Sequence, residues 1–337
     1  MKTIFRSLLF LFLLKTTFLF SQKVAVPNAD SVEWQSVIDK PESIRRFFLG
    51  LQPLYADVFA NGINAGYGVD ALYLPKSGKY DVRASFRKPY SSRSADFVKD
   101  KMTRYSNTLN DPVGFMYFEM SGSVTIKDQV KNSPVKIAVI RKPENPSPLN
   151  WVESVPVPMP SKIRVIQSVR IGFQSWRSAL DVTSTLEKQG SRNADVALPE
   201  QLIDEDGNVS PFYVFSNLYN RTIFAGFGLT QIRNRSLLID GYETALQDKL
   251  VTFYGDLMYA RNLSIDDAAY GLAEYSLEKV KLNKIGLRAG VEMRTNRKRG
   301  WGYAAETGWR PAPKGNTGYL LIKVSIPVFA GYLVARD

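Results

Sequence analysis

The sequence predicts an all-β protein, a transmembrane antiparallel β-barrel of about 12–14 strands. Three observations lead to this prediction: an N-terminal export signal, long segments in which apolar and polar residues alternate, and the lack of a long apolar run after the signal. The alternating segments are about 8 to 13 residues long, whereas soluble strands average roughly 5 to 6. A soluble exported β-protein is the alternative, and it would have to cover its apolar face with a second sheet.

The first 21 residues are predicted to be a cleaved signal peptide. Lys2 and Arg6 precede an unbroken apolar run over residues 8–14, which is far shorter than the roughly 18 residues of a membrane helix. The expected boundaries are residues 1–21 for the signal, 22–46 for an N-terminal segment and 47–337 for the barrel. Three interpretations of the N-terminal segment stay open: a tail, a plug in the lumen, or a periplasmic contact.

The clearest alternation starts at Ile285. Leu287 and Val291 fall on one side of the expected strand, and Arg288 and Glu292 fall on the other. If the apolar side meets lipid, Leu287→Arg should be more damaging than Arg288→Leu. Similar strands are expected over residues 47–59, 63–73, 81–87, 116–127, 135–141, 163–174, 221–232, 250–261, 285–294, 301–310 and 318–329, with weaker ones near Phe212, Ser236 and Tyr270.

The composition removes several kinds of active site. The chain of 337 residues contains no Cys and no His, which excludes disulfides, thiolate nucleophiles, Ser-His-Asp relays and His- or Cys-ligated metals. Carboxylates such as Glu119 and Glu306 could serve a glycosidase only if the fold paired them. Residues 204–208 have the acid density of a calcium loop but not its ligand spacing, so a turn is expected. We therefore expect no enzymatic activity, no cofactor and no metal.

Charged residues on the polar side of the strands are expected to line the lumen. The formal net charge is +12, so anionic partners are favoured. Two interpretations of the lumen stay open: a salt-bridged interior that stiffens the wall, and a weakly anion-preferring channel. A basic turn is expected to contact lipid phosphates or acidic partners. The lumen candidates are Arg83, Glu119, Arg164, Arg170, Arg288, Glu292 and Glu306, and the basic rim candidates are Arg294, Arg297, Lys298 and Arg299.

Several sequence features carry a family resemblance. The leader ends in Phe-Ser-Gln, and two late strands read Gly-Leu-Arg-Ala-Gly-Val-Glu-Met-Arg and Gly-Tyr-Ala-Ala-Glu-Thr-Gly-Trp-Arg-Pro. In these features the chain resembles outer-membrane β-barrel proteins of the Bacteroidota, a resemblance of general pattern rather than of one motif. It implies the outer membrane of a Gram-negative bacterium. Barrels of that group serve secretion and gliding machinery, accompany polysaccharide uptake, or act as passive pores.

Two functions remain open from the sequence. The first is a non-enzymatic anchor or accessory subunit of a cell-envelope assembly, for example the secretion or gliding machinery. The second is a porin-like channel or transporter for anionic or hydrophobic small solutes. The mixed charges expected in the lumen and the long loops favour the first. The expected partners are outer-membrane lipid and envelope proteins, and nucleic acid is not expected for an exported barrel.

Overall fold

The computed structural model describes residues 34–59, 62–91, 95–140, 154–203, 205–297 and 300–331. The predicted signal peptide and the first part of the 22–46 segment lie outside these residues. The strands are β1 (Trp34–Asp39), β2 (Phe47–Phe59), β3 (Gly62–Tyr73), β4 (Tyr80–Pro89), β5 (Met116–Asn132), β6 (Val135–Ile140), β7 (Ser154–Met159), β8 (Lys162–Asp181), β9 (Gln201–Ile203), β10 (Val209–Pro211), β11 (Phe215–Ile239), β12 (Ala245–Ile265), β13 (Ala268–Tyr270), β14 (Ala273–Tyr275), β15 (Leu282–Asn283), β16 (Ile285–Thr295), β17 (Gly302–Trp309), β18 (Ala312–Pro313) and β19 (Gly318–Gly331).

Two short α-helices interrupt the strands. Helix α1 (Phe97–Tyr105) begins after Asp96, whose side chain accepts a hydrogen bond from the backbone N–H of Lys99. Helix α2 (Val182–Lys188) begins after Asp181, which caps it in the same way. Among the described residues, no helix is both long and apolar enough to cross a bilayer.

The chain divides into two compact units. Among the described residues, the larger unit comprises those within 38–133, 160–236 and 246–331, and the smaller one comprises those within 34–37, 134–159 and 237–245. In the smaller unit, β6 and β7 pair as an antiparallel hairpin, with Val139 opposite Val155. Its core is the buried cluster of Ile137, Val139, Val157, Met159, Leu237, Ile239 and Ala245.

Ten strands of the larger unit form a closed antiparallel barrel. They follow the order β11, β12, β16, β17, β19, β2, β3, β4, β5 and β8, and the ring closes because β8 also pairs with β11. That closing ladder runs from Phe215 opposite Asp181 to Ile232 opposite Arg164. A closed ring leaves no sheet edge with unpaired backbone groups, as a membrane-spanning sheet requires. The prediction of an all-β antiparallel barrel is confirmed.

The barrel has ten strands rather than the expected 12–14. Residues 135–141 alternate as clearly as the barrel strands do, but β6 pairs with β7 in a separate hairpin. Ser236 belongs to β11, and Tyr270 lies in the short hairpin of β13 and β14. Alternation indicates that a segment is a strand, but it does not indicate which strand it pairs with. The expected number of barrel strands was therefore too high.

The two faces of the barrel wall differ in polarity. In β16, Leu287 is 49% exposed, whereas the next residue, Arg288, is 1% exposed and points into the interior. The same alternation holds around the ring, and an apolar exterior of this kind is typical of barrels whose outer wall meets lipid. Exposed apolar residues of the barrel strands include Leu51, Val69, Met120, Ile171, Phe227, Leu257 and Ile322.

The two ends of the barrel also differ. Long connections over residues 90–115, 182–214 and 266–284 leave one end, which we call the loop end. Short connections over residues 74–79, 240–244 and 296–301 leave the other, which we call the turn end. The longer β5–β8 connection, which contains β6 and β7, starts and finishes at this end too. Strand β2 starts and β19 finishes at the turn end, where Phe47 pairs with Gly331.

Candidate functional site in the barrel interior

A buried ion-pair network crosses the middle of the barrel and centres on Arg288. Its guanidinium donates to both carboxylate oxygens of Glu119 at 2.8 and 2.9 Å. The same group donates to Asp256 at 2.8 Å and to Glu306 at 3.4 Å. Because Glu119 lies on β5 and Arg288 on the non-adjacent β16, the pair joins walls that face each other across the lumen. The bidentate geometry makes this contact a strong charge-assisted one.

A second set of ion pairs lies nearer the turn end and also spans the interior. Arg83 of β4 donates to Glu292 of β16 at 3.2 Å, and to Asp81 of its own strand at 3.0 Å. Arg294 of β16 pairs with Asp70 of β3 and with Glu292. Strands on opposite walls are therefore tied together at more than one level.

Two further arginines complete the interior network. Arg170 of β8 donates to Asp256 at 3.2 Å, so this aspartate joins Arg170 to Arg288. Towards the loop end, Arg310 holds Asp57 through both of its terminal nitrogens at 3.0 and 3.1 Å. All four side chains are at least nine-tenths buried, and burial of such charges is tolerable only when they are paired.

Aromatic rings lie against the guanidinium groups of the interior. Arg288 lies 4.1 Å from the ring centre of Phe224, and Arg170 lies 4.2 Å from that of Tyr254. The Tyr254 hydroxyl donates to Glu306 at 2.7 Å, so it binds a carboxylate while its ring faces a cation. Similar stacking pairs Arg310 with Tyr319 and Arg87 with Tyr117, each at 3.8 Å.

Glycines make room for these rings. At Gly172, an added Cβ would lie 2.5 Å from Cζ of Phe224, the ring beneath Arg288. At Gly290, an added Cβ would lie 2.5 Å from the Tyr254 hydroxyl oxygen. Only glycine allows an aromatic ring to lie flat against the barrel wall at these two positions.

Little space remains between the paired side chains. The interior cavity has a volume of about 40 Å³ and is bordered by Arg83, Arg87, Glu119, Arg170 and Lys323, among others. A single water needs roughly 10 to 15 Å³ measured in this way, so the cavity has room for a few water molecules. A solute much larger than water does not fit this cavity unless ion-paired side chains move.

The loop end is covered by a hydrophobic cluster. The interior residues Tyr55, Tyr117 and Trp176 belong to one buried cluster with loop residues such as Val182 and Phe212. The loops therefore pack onto the top of the lumen instead of leaving its mouth open.

Hydrogen bonds fix the loops in this position. The Phe115 backbone N–H donates to Asp96 at 2.6 Å, and burial raises the pKa of Asp96 above its ordinary value. Thr108 donates to the Phe215 carbonyl at 2.7 Å, which ties the loop that follows α1 to the start of β11.

The segment before β2 packs against the turn end. Ile44 is buried in a cluster with the inward-facing residues Ile166, Ile232 and Leu250. Arg45 binds Asn296 through both its backbone N–H, at 2.7 Å, and its side chain, at 3.1 Å. Residues 38–46 therefore contact four barrel strands, β8, β11, β12 and β19, and the turn at Asn296.

The lumen candidates occupy two kinds of position. Arg83, Glu119, Arg170, Arg288, Glu292 and Glu306 all belong to the interior network described above. Arg164 lies near the turn end, where it binds Asp128 at 2.8 Å.

The basic rim candidates do not form one cluster. Arg294 lies inside the barrel with Asp70 and Glu292, rather than on a rim. Arg297 donates to Asp248 at 2.8 Å, and its side chain is 43% exposed. Lys298 and Arg299 lie outside the described residues.

The acid-rich turn over 205–208 follows β9, with Gly207 at a φ of 80°. Within the described ranges, no group of three or more acidic residues is placed to hold a metal ion.

Several interior residues escaped the sequence analysis. Asp57 and Asp256 were not singled out, although both alternate with outward-facing apolar neighbours and could have been found in that way. Tyr117, Tyr254 and Tyr319 carry no such signal, because a tyrosine suits either side of a strand. Their roles depend on which arginine lies next to them across the ring.

The geometry defines the class of the protein: a closed ten-strand antiparallel barrel with an apolar outer wall and an ion-paired interior. No protein-family model matches the sequence, and no curated protein matches it. The toluene transporter TbuX of Ralstonia pickettii is similar at 9% identity and a TM-score of 0.26, covering 86% of this chain and 91% of that one. The monoaromatic hydrocarbon channel CymD is similar at 8% identity and a TM-score of 0.21, over 88% and 91% of the two chains. OmpT, an outer membrane protein of Vibrio cholerae, is similar at 9% identity and a TM-score of 0.19, over 91% and 100%. With scores this low, function is argued from the chain's own geometry.

Proposed function

We propose that this chain is a non-enzymatic outer-membrane β-barrel that serves as an anchor or accessory subunit of a cell-envelope assembly. The observation that carries the proposal is the interior network centred on Arg288, which joins opposite walls and borders a cavity of only about 40 Å³. A wall braced in this way suits a rigid membrane support. It does not suit a path for solutes, which requires an open lumen.

The outer wall supports the membrane placement. Apolar side chains alternate outward on the barrel strands, and the ring has no free edge. In barrels of the outer membrane, short turns face the periplasm and longer loops face the exterior. The loop end of this barrel accordingly faces the cell exterior in our proposal, and residues 38–46 lie on the periplasmic side.

The chemistry of the interior supports a non-enzymatic role. Glu119, Asp256, Glu292 and Glu306 each accept from at least one arginine. Because their oxygens are occupied by guanidinium groups, these carboxylates are not free to contact a substrate. Paired carboxylates for hydrolysis are therefore not part of the proposal.

The partner-binding role rests on the parts of the chain that are not needed to close the barrel. The β6–β7 hairpin shares a buried core with Leu237, Ile239 and Ala245, and it frames a connection over residues 141–153 that contains Pro143, Pro146 and Pro148. Proline-rich segments of this kind favour extended structure, which suits recognition by another protein. We propose that this hairpin and its connection contact an envelope protein.

The proposal is tested by in-cell cross-linking and gentle solubilisation of the full chain. A partner should co-purify with the wild type and be lost when residues 135–159 are replaced by a short Gly-Ser linker, while the barrel still fractionates with outer membranes. The matched control shortens the exposed β9–β10 turn over residues 205–208, which should leave the partner bound. A monomer that purifies without any partner would contradict the accessory role.

A further inference from the structure

Three arginines form a cationic row on the outer wall, near the loop end. Arg177 lies on β8, Arg221 on β11 and Arg261 on β12, and these strands are neighbours in the ring. All three side chains are exposed. Arg177 and Arg221 each lie between two buried residues and Arg261 follows the buried Ala260, so all three point away from the lumen. We call this set the arginine row.

The strand registers bring the arginine row together. Arg177 lies opposite Tyr219, and Arg221 lies opposite Ser175 two positions away, so the two arginines are diagonal neighbours. Between β11 and β12, Thr230 contacts Thr252 at 3.0 Å, and counting along both strands from that pair puts Arg221 opposite Arg261. Like charges in these positions repel each other unless an anion lies between them.

The arginine row is unpaired, in contrast to Arg170, Arg288 and Arg310 of the interior. Within the described part of the chain, none of its three side chains makes an ion pair or a hydrogen bond. Asp266 comes near the row, but it accepts from Asn217 at 3.2 Å and from Tyr219 at 3.3 Å. Three unpaired guanidinium groups side by side are suited to a phosphate, which they can bind in a bidentate manner.

An apolar groove that extends over β4, β5, β8, β11, β12 and β16 lies on the membrane side of the arginine row. Its volume is about 880 Å³, and small outward residues, Gly122 on β5 and Ala225 on β11, deepen it. Ile223 lies two residues from Arg221, and Leu257 lies four residues from Arg261. At the rise of a strand, these steps are about 7 and 13 Å.

We infer that the arginine row and the groove together bind a phosphorylated, multiply acylated lipid of the leaflet at the loop end. The row binds the phosphate, and the groove holds acyl chains. This inference rests on the proposed membrane placement. The occupant is chosen by charge complementarity, because an anionic group joined to long apolar chains matches a cationic row joined to an apolar groove.

The inference is tested with the full-length barrel in phosphatidylcholine nanodiscs, with diphosphoryl lipid A added as the probe and bound lipid counted by native mass spectrometry. Wild type should bind lipid A in preference to the same lipid without phosphates. The variant R177Q/R221Q/R261Q should bind lipid A about a hundredfold more weakly, because each basic residue raises the affinity for an anionic lipid by roughly a factor of five. The matched control replaces three exposed lysines near the turn end, K76Q/K131Q/K249Q, and should bind as the wild type does.

A second variant tests the groove independently of charge. Gly122→Leu is expected to fold, since an added Cβ there meets only the Asp81 carbonyl at 3.6 Å, yet its side chain fills the groove and should reduce lipid A binding about tenfold or more. Unchanged binding in the arginine variant, or equal binding of the lipid without phosphates, would overturn the inference. Dimers that are lost on Gly122→Leu would assign the groove to a second copy and also overturn it. Failure of the wild type to enter nanodiscs would instead refute the membrane placement.

Discussion

The two faces of strand β16 show how one short sequence meets two different solvents. On the outer face, Leu287 is exposed, and its side chain has no polar group that needs a hydrogen-bond partner. On the inner face, Arg288 has no exposed side-chain surface and bonds to three carboxylates. Each outward side chain therefore contributes to stability on its own, through its transfer to an apolar environment. The inner face depends on specific partners supplied by β5, β12 and β17, so its residues act as a group.

The comparison predicts that the largest loss of stability follows from Arg288→Met. Removing the guanidinium leaves Glu119, Asp256 and Glu306 without their shared cation, and breaking a buried ion pair on one side costs about 3 to 5 kcal/mol. Urea unfolding of the detergent-solubilised barrel measures the effect. Arg297→Met is the control, because Arg297 is 43% exposed and pairs with Asp248 alone, so its loss should stay below about 1 kcal/mol. Equal losses for the two variants would contradict a shared interior network.

On the outer face, Leu287→Arg should cost about 2 to 4 kcal/mol if the residue lies near the bilayer midplane. The same unfolding assay in lipid vesicles measures it, with Leu287→Met as a volume-conserving control. The sequence alone led us to expect this variant to be more damaging than a change at Arg288. The contacts of Arg288 reverse that order, and a smaller effect at Arg288 than at Leu287 would restore the original expectation.

A medium effect is expected where a glycine lets a ring approach the wall. Gly290→Ala places a Cβ against Tyr254 and pushes that ring away from Glu306 and Arg170, at a cost of about 1 to 3 kcal/mol. Gly122→Ala faces outward and meets only a carbonyl at 3.6 Å, so it should leave the unfolding midpoint unchanged. If both substitutions were tolerated equally, the interior would be less tightly packed than the structure indicates.

The smallest effect is expected on the surface of helix α1. Arg104 and Asp100 form an i,i+4 ion pair at 3.0 Å, with the Arg104 side chain 57% exposed. Arg104→Ala should cost roughly 0.5 kcal/mol or less, and the difference should disappear in high salt because exposed charges are screened. A loss of stability as large as that of Arg288→Met would show that exposed and buried ion pairs contribute equally, which would contradict the account.

The wall of the barrel was predictable from sequence, whereas the interior was not. In β16 and β17, alternation alone identified which side chains face outward, because the two-residue period is a local property of a strand. The contact between Arg288 and Glu119 joins residues 169 positions apart, and it depends on the register around half the ring. Alternation also could not tell that residues 135–140 pair outside the barrel.

The central claim, that the interior network closes the lumen, is tested most directly by conductance of the pure protein in planar bilayers. A closed lumen predicts insertion without stable single-channel steps. It also predicts that neutralising Arg164, Arg170 and Arg288 together does not reduce any chloride preference, because no selective path exists. Stable steps that favour chloride over potassium in the wild type, and lose that preference in the triple variant, would show an anion-selective channel and contradict the anchor account.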